Sequence, residues 1–383
     1  MSNPKKIKVV YIVKSSTPYG SNVALLNLLQ EITKYNVAPL VLYCEDGPFV
    51  DWLKEREIPT RKISNFSYNI YPPKKTFKNL LAYVPRFVSL VAFRNRKAVS
   101  DIVSIAREFN ADLIHTNVGP VDVGFQAAAQ LNIPHLWHIR EYQNLDFKMT
   151  PFPSFNSFKE RIKKSSIISI SKDLFQHFDM GDNAKVVYDG VLKKDQVRFV
   201  DKKQQHFLFV GRINESKNVK LVVEAFIEFS ETNKDFELHI AGNGPQSYLK
   251  ELKSLIDEHA LEHRIKFLGF RTDRHDLMAV ASAIIVSSVR EGFGFITVEA
   301  IYNGCLVVGL NSGGTKEILE ENGLGLLYDN RDQLVKHLLE IADKGVESFY
   351  PMISKSQQYG IDLYSIEHST AIVYKYYNEI LNY

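Results

Sequence analysis

The feature that most restricts the fold is a rhythm that runs along the chain and restarts once. Short β-branched runs, IKVVYIV, PLVLYC, DLIHTN, PHLWHI, SIISIS and KVVYDG, alternate in the first half with longer segments of helical period. Continuous apolar runs of this length suit strands buried on both faces, so the pattern predicts a parallel sheet with helices on both sides. The rhythm begins again at HFLFVGR and continues through FELHIAGNG, IKFLGF, AIIVSS, LVVGLN and GLLYD. Between the two series lies DGVLKKDQVRFVDKKQQ, a polar stretch that reads as a linker with a boundary near residue 195. A chain of 383 residues is too long for one ordinary core. The expectation is an α/β chain of two doubly wound domains, 1–195 and 196–362, followed by a last helical segment at 363–383.

Bulk properties exclude several classes. A formal charge of +3 is too small for a dedicated nucleic-acid binder. The two cysteines, Cys44 and Cys305, sit among apolar residues without metal-ligand spacing, and read as reduced thiols of a cytoplasmic protein. The opening MSNPKKIKVVYIVKSS passes from a short apolar run straight into a Ser/Thr/Pro/Gly loop, so it reads as a first strand rather than a signal peptide. No apolar stretch approaches the roughly 18 residues of a membrane span.

Doubly wound sheets bind ligands beyond the carboxyl ends of their strands, and the distinctive motifs fall there. In FVGRINESKN the strand ends at Gly211, and Arg212 and Lys217 follow before a helix. Two cations at such a turn can hold phosphate oxygens, one as a planar fork and the other as a point charge; a solvated, capped turn has the same composition. In REGFGFITVEA, Glu291 and Glu299 flank Gly292 and Gly294. The glycines end any helix before ITVEAIYN, so Glu291 belongs to a loop and Glu299 to the second helical turn. The helix start between them is an anion site, and Glu299 lies ~6 to 8 Å beyond it. A hydroxyl-rich group, a diphosphate and a diol in series would match that order, as a nucleotide sugar does. An exposed loop acid and a helix-surface acid are the plainer alternative.

Taken together and in this order, VGRINESKN, AGNGP, FLGF, SSVREGFGFITVEA and NSGGTKEIL resemble the retaining glycosyltransferases of family 4. The resemblance covers 206–330 strongly and the first half weakly. It implies the GT-B architecture, two Rossmann-like domains facing a central cleft, with the acceptor on the first and the donor on the second. It implies Arg212 and Lys217 on the donor diphosphate, Glu291 on the sugar hydroxyls and Glu299 on the ribose diol. The backbone at Gly211, Phe293, Gly294 and Phe295 would approach the donor, and the loop carrying Arg271 would meet the base. Where the family has a Gly-Gly pair after its first strand, this chain keeps Gly20 and has Ser21. His138, in WHIREYQ, resembles the family's first-domain histidine near the anomeric carbon, although a strand-end histidine also suits a structural role. Arg140 and Glu141 beside it can pair with each other or face an acceptor. Asp189 stands where the family commonly has asparagine.

No Asp-x-Asp occurs, which fits a donor site without a metal and without any cofactor beyond the nucleotide sugar. Residues 61–97 contain no acid, and Lys74, Lys75, Lys78, Arg86, Arg94, Arg96 and Lys97 interleave with apolar residues at helical spacing, with Pro85 expected to kink or divide the helix. Such a segment, 74–97, can lie on an anionic membrane or pack on its own sheet.

The expected activity is transfer of a hexose or N-acetylhexosamine from a UDP-linked donor to a glycan or polyprenyl-diphosphate-linked acceptor. Surface polysaccharide synthesis on the cytoplasmic side of the cell membrane is the context the resemblance favours. A noncatalytic GT-B partner and a nucleotide-sugar epimerase share the architecture. A nicotinamide dehydrogenase is disfavoured, since no Gly-x-Gly-x-x-Gly follows the first strand.

Overall fold

The computed structural model describes residues 6–17, 20–71, 77–145, 150–320 and 323–382, with side chains at 77–87, 90 and 91 left aside. The chain divides into two compact units, Met1–Gly190 with Ile366–Tyr383, and Val191–Ser365.

The first unit is built on an all-parallel sheet of β1 (Ile7–Val13), β2 (Val37–Tyr43), β3 (Thr60–Lys62), β4 (Leu113–Thr116), β5 (His135–Ile139), β6 (Ser166–Ser169) and β7 (Ala184–Val186). The order is β3-β2-β1-β4-β5-β6-β7. One face of β1, through Val9 and Tyr11, packs on Leu25 and Leu29 of the helix Gly20–Ile32 and on Val373 and Tyr377 of the final helix Ile366–Leu381. The other face, through Val10 and Ile12, meets Val99, Ile102 and Val103 of the helix Phe77–Phe109. Alternate side chains of a strand point to opposite faces, and both faces here are covered, which is why the run IKVVYIV is apolar almost throughout.

The helix Phe77–Phe109 runs through Pro85 and is not divided there. A proline removes one backbone donor, a loss that a helix of 33 residues sustains while its remaining turns stay bonded.

The second unit repeats the plan with β8 (Gln204–Val210), β9 (Glu237–Ala241), β10 (Ile265–Gly269), β11 (Ala281–Val286), β12 (Leu306–Leu310) and β13 (Leu326–Tyr328). Its order is β10-β9-β8-β11-β12-β13, again parallel throughout. An aromatic cluster of Phe207, Phe226, Phe229 and Phe236 fills the layer between β8 and the helix Val219–Thr232. Each such buried ring contributes about 1.5–3 kcal/mol relative to exposure.

The strand order reverses direction between β8 and β11. A crevice beyond the carboxyl ends of strands at that reversal is where an open α/β sheet takes a ligand. The loops after β8 and β11 are VGRINESKN and SSVREGFG.

Candidate active site

Local chemistry sets the loop after β8. Its backbone is tied to β9 and the turn after it: Gly211 N–H donates to the Ala241 carbonyl at 3.0 Å and Ile213 N–H to the Asn243 carbonyl at 2.8 Å. Asn214 then caps the 3-10 turn Glu215–Lys217, its side-chain oxygen accepting from Lys217 N–H at 3.1 Å. Asn218 follows in the left-handed region with φ 51°, a conformation asparagine tolerates, and the helix Val219–Thr232 begins. Arg212 is exposed beside Gly211, while Lys217 is half-buried.

The loop after β11 is drawn onto this turn. Ser287 Oγ donates to the Lys217 carbonyl at 2.6 Å. Lys217 Nζ then donates to Glu291 Oε2 at 2.7 Å, so the cation and the first glutamate of REGFGFITVEA meet directly. From the other side, Gly314 N–H donates to the Glu291 carbonyl at 2.7 Å, and Ser312 Oγ to the Val289 carbonyl at 2.6 Å. A Cβ added at Gly314 would lie 1.9 Å from the Phe293 carbonyl oxygen, so only glycine permits this approach.

Gly294 stands at the N-cap of the helix Phe295–Tyr302 with φ 110°, which favours glycine. The first bond of this helix runs from Val298 N–H to the Gly294 carbonyl, so the amides of Phe295 and Ile296 belong to the open first turn. Phe293 is buried and packs edge-on against Phe295, with ring centroids 5.6 Å apart. Glu299 lies within the helix with its side chain only 7 % exposed. Both its oxygens are taken by Arg274, Nε to Oε2 at 2.9 Å and Nη2 to Oε1 at 2.8 Å. That bidentate contact holds the Arg274 guanidinium above its usual pKa, against the opposing effect of burial. Arg271 is exposed and turned to Asp273, with Nε to Oδ1 at 2.8 Å.

Arg212, Lys217, Glu291 and Glu299 thus all belong to the second unit, whereas Gly20 and His138 belong to the first. Gly20 opens the helix Gly20–Ile32. The loop before it is fixed by Asn22, whose amide donates to the carbonyls of Ser15 and Thr17, both at 2.8 Å.

His138 is sealed inside the first unit, 2 % exposed, in a hydrogen-bonded chain whose direction the chemistry determines. Arg140 Nη2 lies 3.3 Å from His138 Nδ1, and a guanidinium only donates, so Nδ1 accepts. His115 Nε2, 3.1 Å from the same Nδ1, therefore carries a proton, and His115 Nδ1 accepts from Tyr377 Oη at 2.6 Å. Tyr377 Oη in turn accepts from Tyr11 Oη at 3.0 Å. Both histidines are held neutral, well below their usual pKa, first by burial and then by the Arg140 charge. Arg140 does not turn to Glu141: it pairs with the buried Asp189 and donates from Nε to Asn117 Oδ1 at 3.0 Å. Asp189 is thus the counter-charge of a buried arginine.

Nothing in the sequence marks Asn22, His115, Tyr377 or Arg274. Their roles depend on partners that only the fold brings near. Among the described residues, no group of three or more His, Cys, Asp or Glu is placed to hold a metal ion. Cys44 and Cys305 are buried free thiols, and burial pushes the Cys305 thiol up to about 12.

Residues 192–356 match the family model described as glycosyl transferases group 1. The chain is 27% identical over 245 residues to an uncharacterized glycosyltransferase of Methanocaldococcus jannaschii, covering 60% of this chain and 65% of that one. It is 25% identical over 135 residues to the capsular polysaccharide biosynthesis glycosyltransferase CapH of Staphylococcus aureus, covering 35% and 38%. The chain thus spans less than two thirds of the length of these curated relatives. Its fold is similar to that of Anabaena HepE, solved with UDP and glucose, with a TM-score of 0.78 at 20% identity over 97% of this chain and 100% of that one. Two parallel-sheet units in series, of seven and six strands, are the GT-B fold, and residues 192–356 of this chain match the glycosyl transferases group 1 family within it.

Proposed function

We propose that the protein is a retaining glycosyltransferase that moves a hexose or N-acetylhexosamine from a UDP-linked donor to a glycan hydroxyl. The observation that carries this reading is the meeting of Lys217 and Glu291, 2.7 Å apart, beyond the carboxyl ends of β8 and β11. A cation for a diphosphate and a carboxylate for sugar hydroxyls stand side by side there, beside an open helix start.

On this reading Arg212, Lys217 and the first-turn amides of Phe295–Tyr302 hold the diphosphate, while Glu291 accepts from the sugar hydroxyls and Glu299 from the ribose. The bond from the anomeric carbon to the diphosphate oxygen breaks, and the acceptor oxygen bonds to the same face of the sugar. The acceptor proton passes to the departing phosphate oxygen. The protein's contribution is to stabilise the charge that grows on that oxygen and to orient the sugar. His138, which the resemblance puts near the anomeric carbon, is buried, and on this reading it acts by fixing Arg140 rather than by touching the sugar.

The acceptor context we favour is surface polysaccharide, in keeping with the name of the staphylococcal relative, with contact to the inner face of an anionic membrane. Phe93 is 74 % exposed on the helix Phe77–Phe109, flanked by exposed Arg94, Arg96 and Lys97, while Ala98, Val99 and Ile102 are buried. An exposed ring among cations suits an anionic lipid surface. Lys74 and Lys75, and the side chains of Lys78 and Arg86, lie outside the described residues. Among the described residues no helix is long and apolar enough to cross a membrane. The anomeric configuration of the product, read by NMR, tests the retaining mechanism: inversion would refute it.

A further inference from the structure

The carboxylate of Glu299 already has a full bidentate partner, and this bears on how strictly the site can demand a ribose. Arg274 opens the helix Arg274–Val280 and reaches across to the helix Phe295–Tyr302, where its Nε and Nη2 take one oxygen of Glu299 each, at 2.9 and 2.8 Å. The base of Glu299 is fixed independently. Asn303 Nδ2 donates to the Glu299 carbonyl at 2.7 Å, and Asn303 Oδ1 accepts from Arg198 Nε at 2.5 Å. The carboxylate is thus buried, held in place and bonded before any ligand arrives.

We propose that Arg274 is a specificity-determining residue that relaxes the site's selectivity for ribose by competing for Glu299. This rests on the reading that Glu299 receives the ribose diol. A planar fork and a vicinal diol seek the same two oxygens, so the ribose hydroxyls donate to Glu299 beside the guanidinium N–H groups or in their place. A nucleotide that lacks one hydroxyl leaves Arg274 on the corresponding oxygen, and no buried acceptor is stranded. Selectivity is then at most one hydrogen bond to an oxygen that keeps another donor, which is small. Without Arg274 a missing hydroxyl leaves a buried carboxylate oxygen with no partner, a loss that costs far more than an exchange.

The test is calorimetric titration of the full chain with UDP and with 2′-deoxyuridine 5′-diphosphate. For Arg274→Ala, the ratio of the two Kd values should rise about tenfold over the wild-type ratio, one charge-assisted bond's worth of discrimination. Arg274→Lys keeps the charge but only one point of contact, so its ratio should fall between the two; it also serves if the alanine variant fails to fold. An unchanged or smaller ratio in the folded variants, with UDP still bound, overturns the role of Arg274 alone. If Glu299→Gln binds UDP as the wild type does, or the wild type binds no UDP, the ribose reading fails and this inference with it.

Discussion

Lys217 Nζ and Glu291 Oε2 stand 2.7 Å apart although 74 residues separate them in the chain. The pair joins the loop after β8 to the loop after β11, so each charge holds the other in position before a donor enters. An ammonium has three donors and can keep the carboxylate while it meets a phosphate oxygen. Removing either partner misplaces the other. Lys217→Ala and Glu291→Ala should each lower turnover by about 10²–10³ with circular dichroism unchanged, the scale set by loss of one preorganised electrostatic contact. Near-normal turnover in both would refute the assignment.

Gly314 makes a second support of the same loop open to test. Any side chain there collides with the Phe293 carbonyl, and the loop must shift away from the Gly314 N–H that holds the Glu291 carbonyl. Gly314→Ala should therefore weaken donor binding at least tenfold, equivalent to about 1.4 kcal/mol, with Lys217 and Glu291 both intact. Titration with UDP checks it, and a wild-type Kd would contradict it.

Buried histidines give the first unit a pH dependence of defined sign. His135 bonds to Thr116 Oγ1 at 2.8 Å and Ser165 Oγ at 2.9 Å, and burial lowers its pKa to about 3. Its unfolded value is roughly 6.5. A base with a depressed folded pKa contributes stability fully above the unfolded value and loses it as pH falls through the window down to the folded value. His135→Gln should therefore reduce the slope of unfolding free energy against pH by about 1.4 kcal/mol per unit between pH 6 and 4. Denaturant titrations of both proteins at several pH values measure this, and identical slopes would exclude it.

The exposed face of the helix Phe77–Phe109 predicts membrane contact. Co-sedimentation with vesicles rich in phosphatidylglycerol should be strong for the wild type and lost on charge reversal at Arg94, Arg96 and Lys97, with each cation worth about 1 kcal/mol near the surface. Binding that survives the triple reversal would place the contact elsewhere or refute it.

How far the sequence reveals the structure depends on the range of the interactions involved. β1 is readable because both of its faces are buried, which makes Ile7–Val13 apolar at every position but Lys8. β3 is not, since it lies at the edge of the sheet and Thr60–Lys62 carries no buried residue. Arg212, Lys217 and Glu291 stand out because charged residues follow strands at the carboxyl edge. Nothing in the sequence ties Arg274 to Glu299, because a salt bridge between two helices leaves no periodic trace. The chain from Tyr11 to His138 is hidden for the same reason: Tyr11 and Tyr377 are 366 residues apart. Arg140 and Glu141 illustrate the converse, adjacent opposite charges that suggest a pair while the fold supplies Asp189.

The most direct test of the account is incubation of the purified protein with a panel of UDP-sugars, with and without glycan acceptors and in excess EDTA, measuring UDP release and the sugar product. The account predicts UDP release from at least one UDP-hexose or UDP-N-acetylhexosamine, undiminished by EDTA and lost in Lys217→Ala. Absence of release with every donor, an epimerised donor as the only product, or complete loss of turnover in EDTA would contradict it.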